Sequence, residues 1–284
     1  MRPPDTIPDE PPPQLRFRRR VGVITSAREL CKDKEIVFSL ADRDFRARYK
    51  QAVLGVAWAI LNPLVLVLVF TFTIRKFAHV NTHGVPYPIW AYTGLVAWTF
   101  FAGAATSSTT CLVNNQALLN KVSFPREAYP VASVALSGVD TGISLIGLVA
   151  YFAIFRFLPT PTLYWIPVIF AVQLAFTVGF SLIISVVVVY VRDLRQIAPI
   201  IVQIGLFATP VAYNITQLLK PPWRVIYCTL NPMAPVIDSY RRVLLYGLAP
   251  EWQYLLPGAA MAFVLLVGGL RLFKRLEVGI ADLI

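Results

Sequence analysis

The chain's 284 residues are 57% hydrophobic and 14% charged, with a formal net charge of +11 and a mean hydropathy of +0.63. That balance excludes an ordinary soluble domain, whose helices would each keep a polar face. Three cysteines, Cys31, Cys111 and Cys228, have no paired spacing, which argues against both a disulfide framework and a cysteine metal site.

Residues 1–22 begin "MRPPDTIPDEPPP", with six prolines in thirteen residues, and end in the basic run "RFRRR". Lacking an apolar core, this stretch is not a cleavable signal peptide and is expected to be a disordered, proline-rich basic tail. Residues 27–50 form the next unit. Val37, Leu40, Ala41, Phe45 and Tyr49 recur at three- and four-residue steps, while Asp42, Arg43, Asp44, Arg46, Arg48 and Lys50 fill the other face. The pattern predicts an amphipathic helix, either lying at the membrane interface with its basic side toward anionic headgroups or standing as a solvated juxtamembrane helix.

Residues 51–284 read as a membrane domain. Gln51–Ile74, Phe77–Asn120, Phe157–Val191, Gln196–Leu219 and Trp252–Leu270 carry no Asp, Glu, Lys or Arg, and Ala128–Phe155 carries only Asp140. A spanning helix needs about 20 mainly apolar residues, so each window holds one, and six transmembrane helices are predicted. Pro63 removes a hydrogen bond to the carbonyl of Ala59 and is expected to kink the first.

Between the second and third windows lies the polar stretch "NNQALLNKVSFPREAYP". Asn114–Val122 can form a short helix that carries Leu118, Leu119 and Val122 as apolar contacts and Lys121 as a charge. The Phe124–Pro125 step ends it, and Glu127 then sits near the positive N-terminus of the next element. In the third window, Asp140 lies within "SGVDTG", where Gly138 and Gly142 have the spacing of close helix packing. A carboxylate at mid-helix costs about 2.5–3.5 kcal/mol, so Asp140 either lines a pathway or gate or is bonded to a neighbouring helix.

Beyond Ala208 the apolar pattern fragments at Pro210, Pro221, Pro222, Pro232 and Pro235. Val236, Ile237, Tyr240, Val243 and Leu244 form one face of the last piece, with Asp238, Ser239, Arg241 and Arg242 on the other. Residues 210–248 are expected as an outer re-entrant hairpin after helix 5, or as a plain outer loop with an interfacial helix.

With both termini on the cytoplasmic side, nineteen of the 26 Lys and Arg residues fall inside and seven outside, the bias expected of a membrane protein. There is no P-loop and no H-E-x-x-H, and the two histidines, His79 and His83, share an outer loop. No convergent pair of titratable groups suggests catalysis, so the chain is expected not to be an enzyme.

Five motifs in order, "RDFRARYKQAVLGVAWAILNPL", "LLNKVSFPREAYP", "VRDLRQI", "TPVAYN" and "LNPMAPVIDSYRRVLL", resemble the transmembrane subunit of ABC-2 type exporters. The likeness covers residue 27 to the end and is strongest to the polysaccharide branch, which exports O-antigen, teichoic acid or galactan. It implies a permease in the bacterial inner membrane that moves a lipid-linked polysaccharide outward. It also implies a homodimer with two separate ABC ATPase subunits that bind ATP and Mg; no cofactor is expected in this chain, and no nucleic-acid partner. The polar segment would then be the coupling helix that docks on the ATPase, with Leu118, Leu119, Lys121, Val122, Phe124 and Arg126 as contacts and Arg192, Asp193 and Arg195 touching the same partner. The resemblance further suggests aromatic residues near the outer mouth, for which Phe70, Phe72, Tyr87, Trp90, Tyr92 and Trp98 are candidates. Asp140, Tyr213, Asn214 and Tyr240 complete the pathway and gate candidates. Export of a drug or small lipid fits the same fold, and a membrane glycosyltransferase is a more distant alternative.

Overall fold

A computed structural model describes residues 34–50, 54–78, 80–119, 125–157 and 160–283. The expected tail, residues 27–33 of the amphipathic unit, and Lys121, Val122 and Phe124 lie outside them.

The described residues are helical, with no strand among them. In chain order the helices are α1 (Lys34–Tyr49), α2 (Trp58–Ala78), α3 (Tyr87–Ser108), α4 (Gln116–Leu119), α5 (Ala128–Ile154) and α6 (Ile166–Tyr190). There follow α7 (Leu194–Ala208), α8 (Ile215–Leu218), α9 (Trp223–Leu230), α10 (Met233–Arg241) and α11 (Trp252–Leu283). Four segments are long and apolar enough to cross a membrane: Gly55–Thr73, Ala128–Ile154, Pro161–Tyr190 and Trp252–Glu277. The second window adds a fifth when Tyr87–Ser108 is joined to Val113–Leu119, which bends away by 54°. The fifth window holds α7, which at 15 residues is about 22 Å long and stops at Thr209–Pro210.

The spanning helices alternate in direction, so α1, the close of α3, the start of α5, the close of α6 and the close of α11 share one end, here called basal. Val37 and Leu40 of α1, Leu112, Ala128, Val186 and Phe273 form one buried cluster there. α3 is the central helix, buried on all sides from Ile89 to Val96. α6 and α11 pack along most of their length.

α2 runs unbroken through Pro63. The Ala59 carbonyl that Pro63 leaves without a donor accepts the Ser144 hydroxyl of α5 at 2.7 Å. The predicted closeness at Gly138 and Gly142 is not what holds the bundle. A Cβ on Gly142 would meet nothing within 4 Å, and one on Gly138 would lie 3.8 Å from Phe100. Backbones touch instead between α6 and α11, where a Cβ on Gly179 would sit 2.6 Å from the Leu265 carbonyl carbon and one on Gly269 would sit 2.6 Å from the Gly179 oxygen.

The amphipathic helix has the predicted face inward: Val37, Leu40 and Ala41 are buried. Its last residues bond to Asp140, which is about 18 Å along α5 from Ala128. α1 therefore packs lengthwise on α5.

Candidate coupling and translocation sites

Charged side chains tie α1 to the bundle partway along α5 and tie α11 to it at the basal end. Arg48 pairs with Asp140 at 2.5 Å and donates to Ser107 Oγ at 3.1 Å, and Tyr49 donates its hydroxyl to Asp140 at 2.8 Å. Burial, and the carboxylate it donates to, raise the Tyr49 phenol above its usual value. Asp140 is thus bonded to the neighbouring helix α1. Arg43 donates to Asn115 at 2.7 Å, and Asn115 donates to the Cys111 carbonyl, which fixes the bend between α3 and α4.

Glu127 precedes the first turn of α5 without capping it. Its fully buried carboxylate faces Lys274 of α11, and Lys274 also meets Glu277 at 3.0 Å. Burial pushes the Glu127 carboxyl above the usual range against the pull of the Lys274 ammonium. Arg126, expected as a partner contact, donates to the Glu277 carbonyl at 2.7 Å. The segment that follows the polar loop is therefore pinned to the last helix.

Of the expected coupling residues, Leu118 and Leu119 are half-buried and pack against the basal cluster rather than projecting. Arg192, Asp193 and Arg195 are exposed on the turn from α6 to α7. That turn and α4 bound the same cleft, so the two expected coupling segments lie side by side.

The opposite, apical end is built differently. Where α7 stops, the carbonyls of residues 208–212 lose their helical donors. Side chains replace them: Tyr213 donates to Ala208 O at 2.8 Å, Tyr227 donates to the same oxygen, and Tyr87 donates to Ala212 O at 2.9 Å. Arg241 is 2% exposed, donates to Pro210 O at 2.7 Å, to Val211 O, and to Trp90 O at 3.2 Å, and stacks 3.3 Å over the Trp90 ring. Gly94 makes its room, since a Cβ there would lie 2.5 Å from an Arg241 guanidinium nitrogen. Asn214 caps α8 through Thr216 and donates to Asn81 O at 3.2 Å, and Tyr240 donates to Gln173 at 2.9 Å. Arg224 meets Asp238 and Glu251, both at 3.3 Å, and Arg242 meets Glu251 at 2.7 Å, which binds the 210–248 segment to the start of α11.

Phe70, Tyr87, Trp90, Tyr92 and Trp98 do not face an open path in this protomer. Each is at most 5% exposed in the main core. Their burial gives them packing contacts, and of the six aromatic candidates only Phe72, at 73%, is exposed. Sequence reasoning put Arg241 on a polar face and missed the Arg224–Glu251–Arg242 group; its one signal was the cluster of cations beside the proline breaks.

The described residues, a helical bundle with a long buried third helix and a broken segment packed among its candidate spans, have the make-up of a multi-pass membrane protein. A family model described as "ABC-2 type transporter" matches residues 35–245, and the chain belongs to that family. It is 29% identical over 257 residues to the O-antigen export system permease protein RfbA of Myxococcus xanthus, covering 89% of this chain and 96% of that protein. The Klebsiella pneumoniae protein of the same name is 27% identical, with 88% and 95% covered. The polysialic acid transport protein KpsM of Escherichia coli is 25% identical, with 86% and 94% covered.

Proposed function

We propose that the chain is the permease subunit of an ATP-driven exporter of a lipid-linked polysaccharide in a bacterial inner membrane. The observation that carries this reading is the end-to-end match to permeases named for O-antigen and polysialic acid export. In this reading two copies assemble with two separate ATP-hydrolysing subunits, which bind ATP and Mg. The basal end is cytoplasmic, as the Lys and Arg bias supports. α7 serves as the fifth of six spans, short because the 210–248 hairpin fills the apical part of its path. The test is purification with the ATPase encoded beside it, followed by analysis of bound lipid and transport into vesicles. A co-purified glycolipid moved in an ATP-dependent way is the expected result. Movement of a drug or small lipid with no glycolipid would contradict the substrate class.

A further inference from the structure

The two arms of the broken segment are held very differently. In α10, Met233–Ile237, Ser239 and Arg241 are buried, and Arg241 fixes the arm to Pro210, Val211 and Trp90. α9 lies between Pro221–Pro222 and Pro232 and packs chiefly on α11. Its outer side, Trp223, Ile226 and Leu230, is exposed, and only Arg224 and Cys228 are buried. Cys228 sits with Ile215, Ala234 and Tyr254 in a small cluster apart from the main core.

Among the described residues, the side chains of α9 reach three acceptors outside the helix. Tyr227 donates to Ala208 O, which Tyr213 also serves at 2.8 Å. Arg224 meets Glu251 at 3.3 Å, and Arg242 holds the same carboxylate at 2.7 Å. The third is Asp238, met by the same Arg224 nitrogen at 3.3 Å. A guanidinium usually donates to a carboxylate at about 2.7–2.9 Å and through two nitrogens. Here one nitrogen is shared by two carboxylates, Nε has no acceptor, and the guanidinium lies 3.9 Å over the Tyr254 ring. If α9 leaves, the Ala208 carbonyl keeps Tyr213 and Glu251 keeps Arg242, so only Asp238 loses an ion-pair partner. The closure of the backbone after α7 does not depend on α9.

We propose that α9 is a hinged flap that turns out of its seat on α11, bending at its flanking prolines, with Arg224 as the latch and α10 staying fixed. Turning out uncovers Cys228 and opens a crevice lined by Ile215, Ala234 and Tyr254. Arg224 is the only charged residue of α9. Its release returns the guanidinium to water without stranding Glu251, which avoids most of the penalty of breaking a buried pair. Local opening of this kind falls to elements with few buried contacts.

The test uses the full chain in lipid nanodiscs with Cys228 as its only cysteine, Cys31 and Cys111 being replaced by alanine. Modification by a small water-soluble thiol reagent is followed with time. Asp238→Asn with Glu251→Gln removes both charges that face Arg224 and is expected to raise the Cys228 rate about tenfold. Arg242→Gln leaves both Arg224 contacts in place and should change that rate less than about threefold. A companion protein with buried Cys111 as its only cysteine reports opening of the bundle elsewhere, and its rate should hold in every variant. Rates that rise together at Cys228 and Cys111 would mean general loosening, and an unchanged Cys228 rate would mean that Arg224 latches nothing; either overturns the flap. A rise from Arg242→Gln as large as that from the double variant would overturn Arg224 as the latch. Arg224→Lys covers the case in which the double variant does not insert. It keeps the charge but loses the fork over Tyr254, and should raise the Cys228 rate about threefold with Cys111 unchanged; no rise would overturn the latch.

Discussion

The two ends of the molecule solve opposite problems. At the apical end the broken backbone after α7 is closed by the protein itself, with Tyr87, Tyr213, Tyr227 and Arg241 donating to carbonyls of residues 208–212. At the basal end α5 and α11 are stapled together, yet the cleft between α4 and the α6–α7 turn keeps three charged side chains without an ion pair among the described residues. An end that completes its own bonding is suited to hold a shape against the membrane. An end that leaves charged side chains without an ion pair is suited to meet a partner.

The sharpest way to break this contrast is at Arg241. Arg241→Met removes the donor for up to three buried carbonyls and should cost about 3 kcal/mol or more, read as a fall in the thermal midpoint of the purified protein. Arg241→Lys should recover only part, because one ammonium lacks the planar fork that reaches these oxygens while lying over Trp90. A midpoint unchanged in Arg241→Met would mean that the apical end is not held by this residue.

Next in size is the contact between α6 and α11. Gly179→Val forces side-chain atoms into the Leu265–Leu266 backbone and should destabilise by about 2 kcal/mol, whereas Gly142→Ala, which meets open space, should change the same midpoint little. Equal effects at the two positions would contradict the packing described. Ser144→Ala leaves the Ala59 carbonyl without its donor and should cost about 1 kcal/mol in the same assay. Smallest is Asp140→Asn, whose single amide oxygen still accepts from either Arg48 or Tyr49, though not from both as the two carboxylate oxygens do. Most transport should remain in reconstituted vesicles, and its loss with normal assembly would support a pathway role for Asp140.

Much of the fold was legible because charge-free windows of about 20 residues have few other uses. The inward face of α1 was legible for the same kind of reason, since three- and four-residue spacing fixes which residues share a face. The rest depended on partners distant in sequence. Gly138 and Gly142 had the spacing for close packing, but the contact fell to Gly179 and Gly269, which are too far apart for any local pattern to pair. Arg241 looked like a solvent-facing charge because it shares a helix face with Asp238 and Arg242. What buries it is the set of free carbonyls at Pro210 and Val211, created by a helix break some thirty residues earlier. Leu118 and Leu119 were readable as apolar contacts, but not the direction in which a four-residue helix would turn them.

The account stands on the 210–248 segment entering the bundle from the apical end and returning there, while the α6–α7 turn stays on the other side. Single cysteines at Trp223, Ala249 and Arg192, each in a background without Cys31, Cys111 and Cys228, test this directly with an impermeant thiol reagent. Trp223 and Ala249 are both exposed and should label from outside intact cells, and Arg192 should label only after the membrane is opened. Labelling of Trp223 and Ala249 from opposite sides would mean that the chain crosses between them, and the contrast between a closed outer end and an open inner one would be wrong.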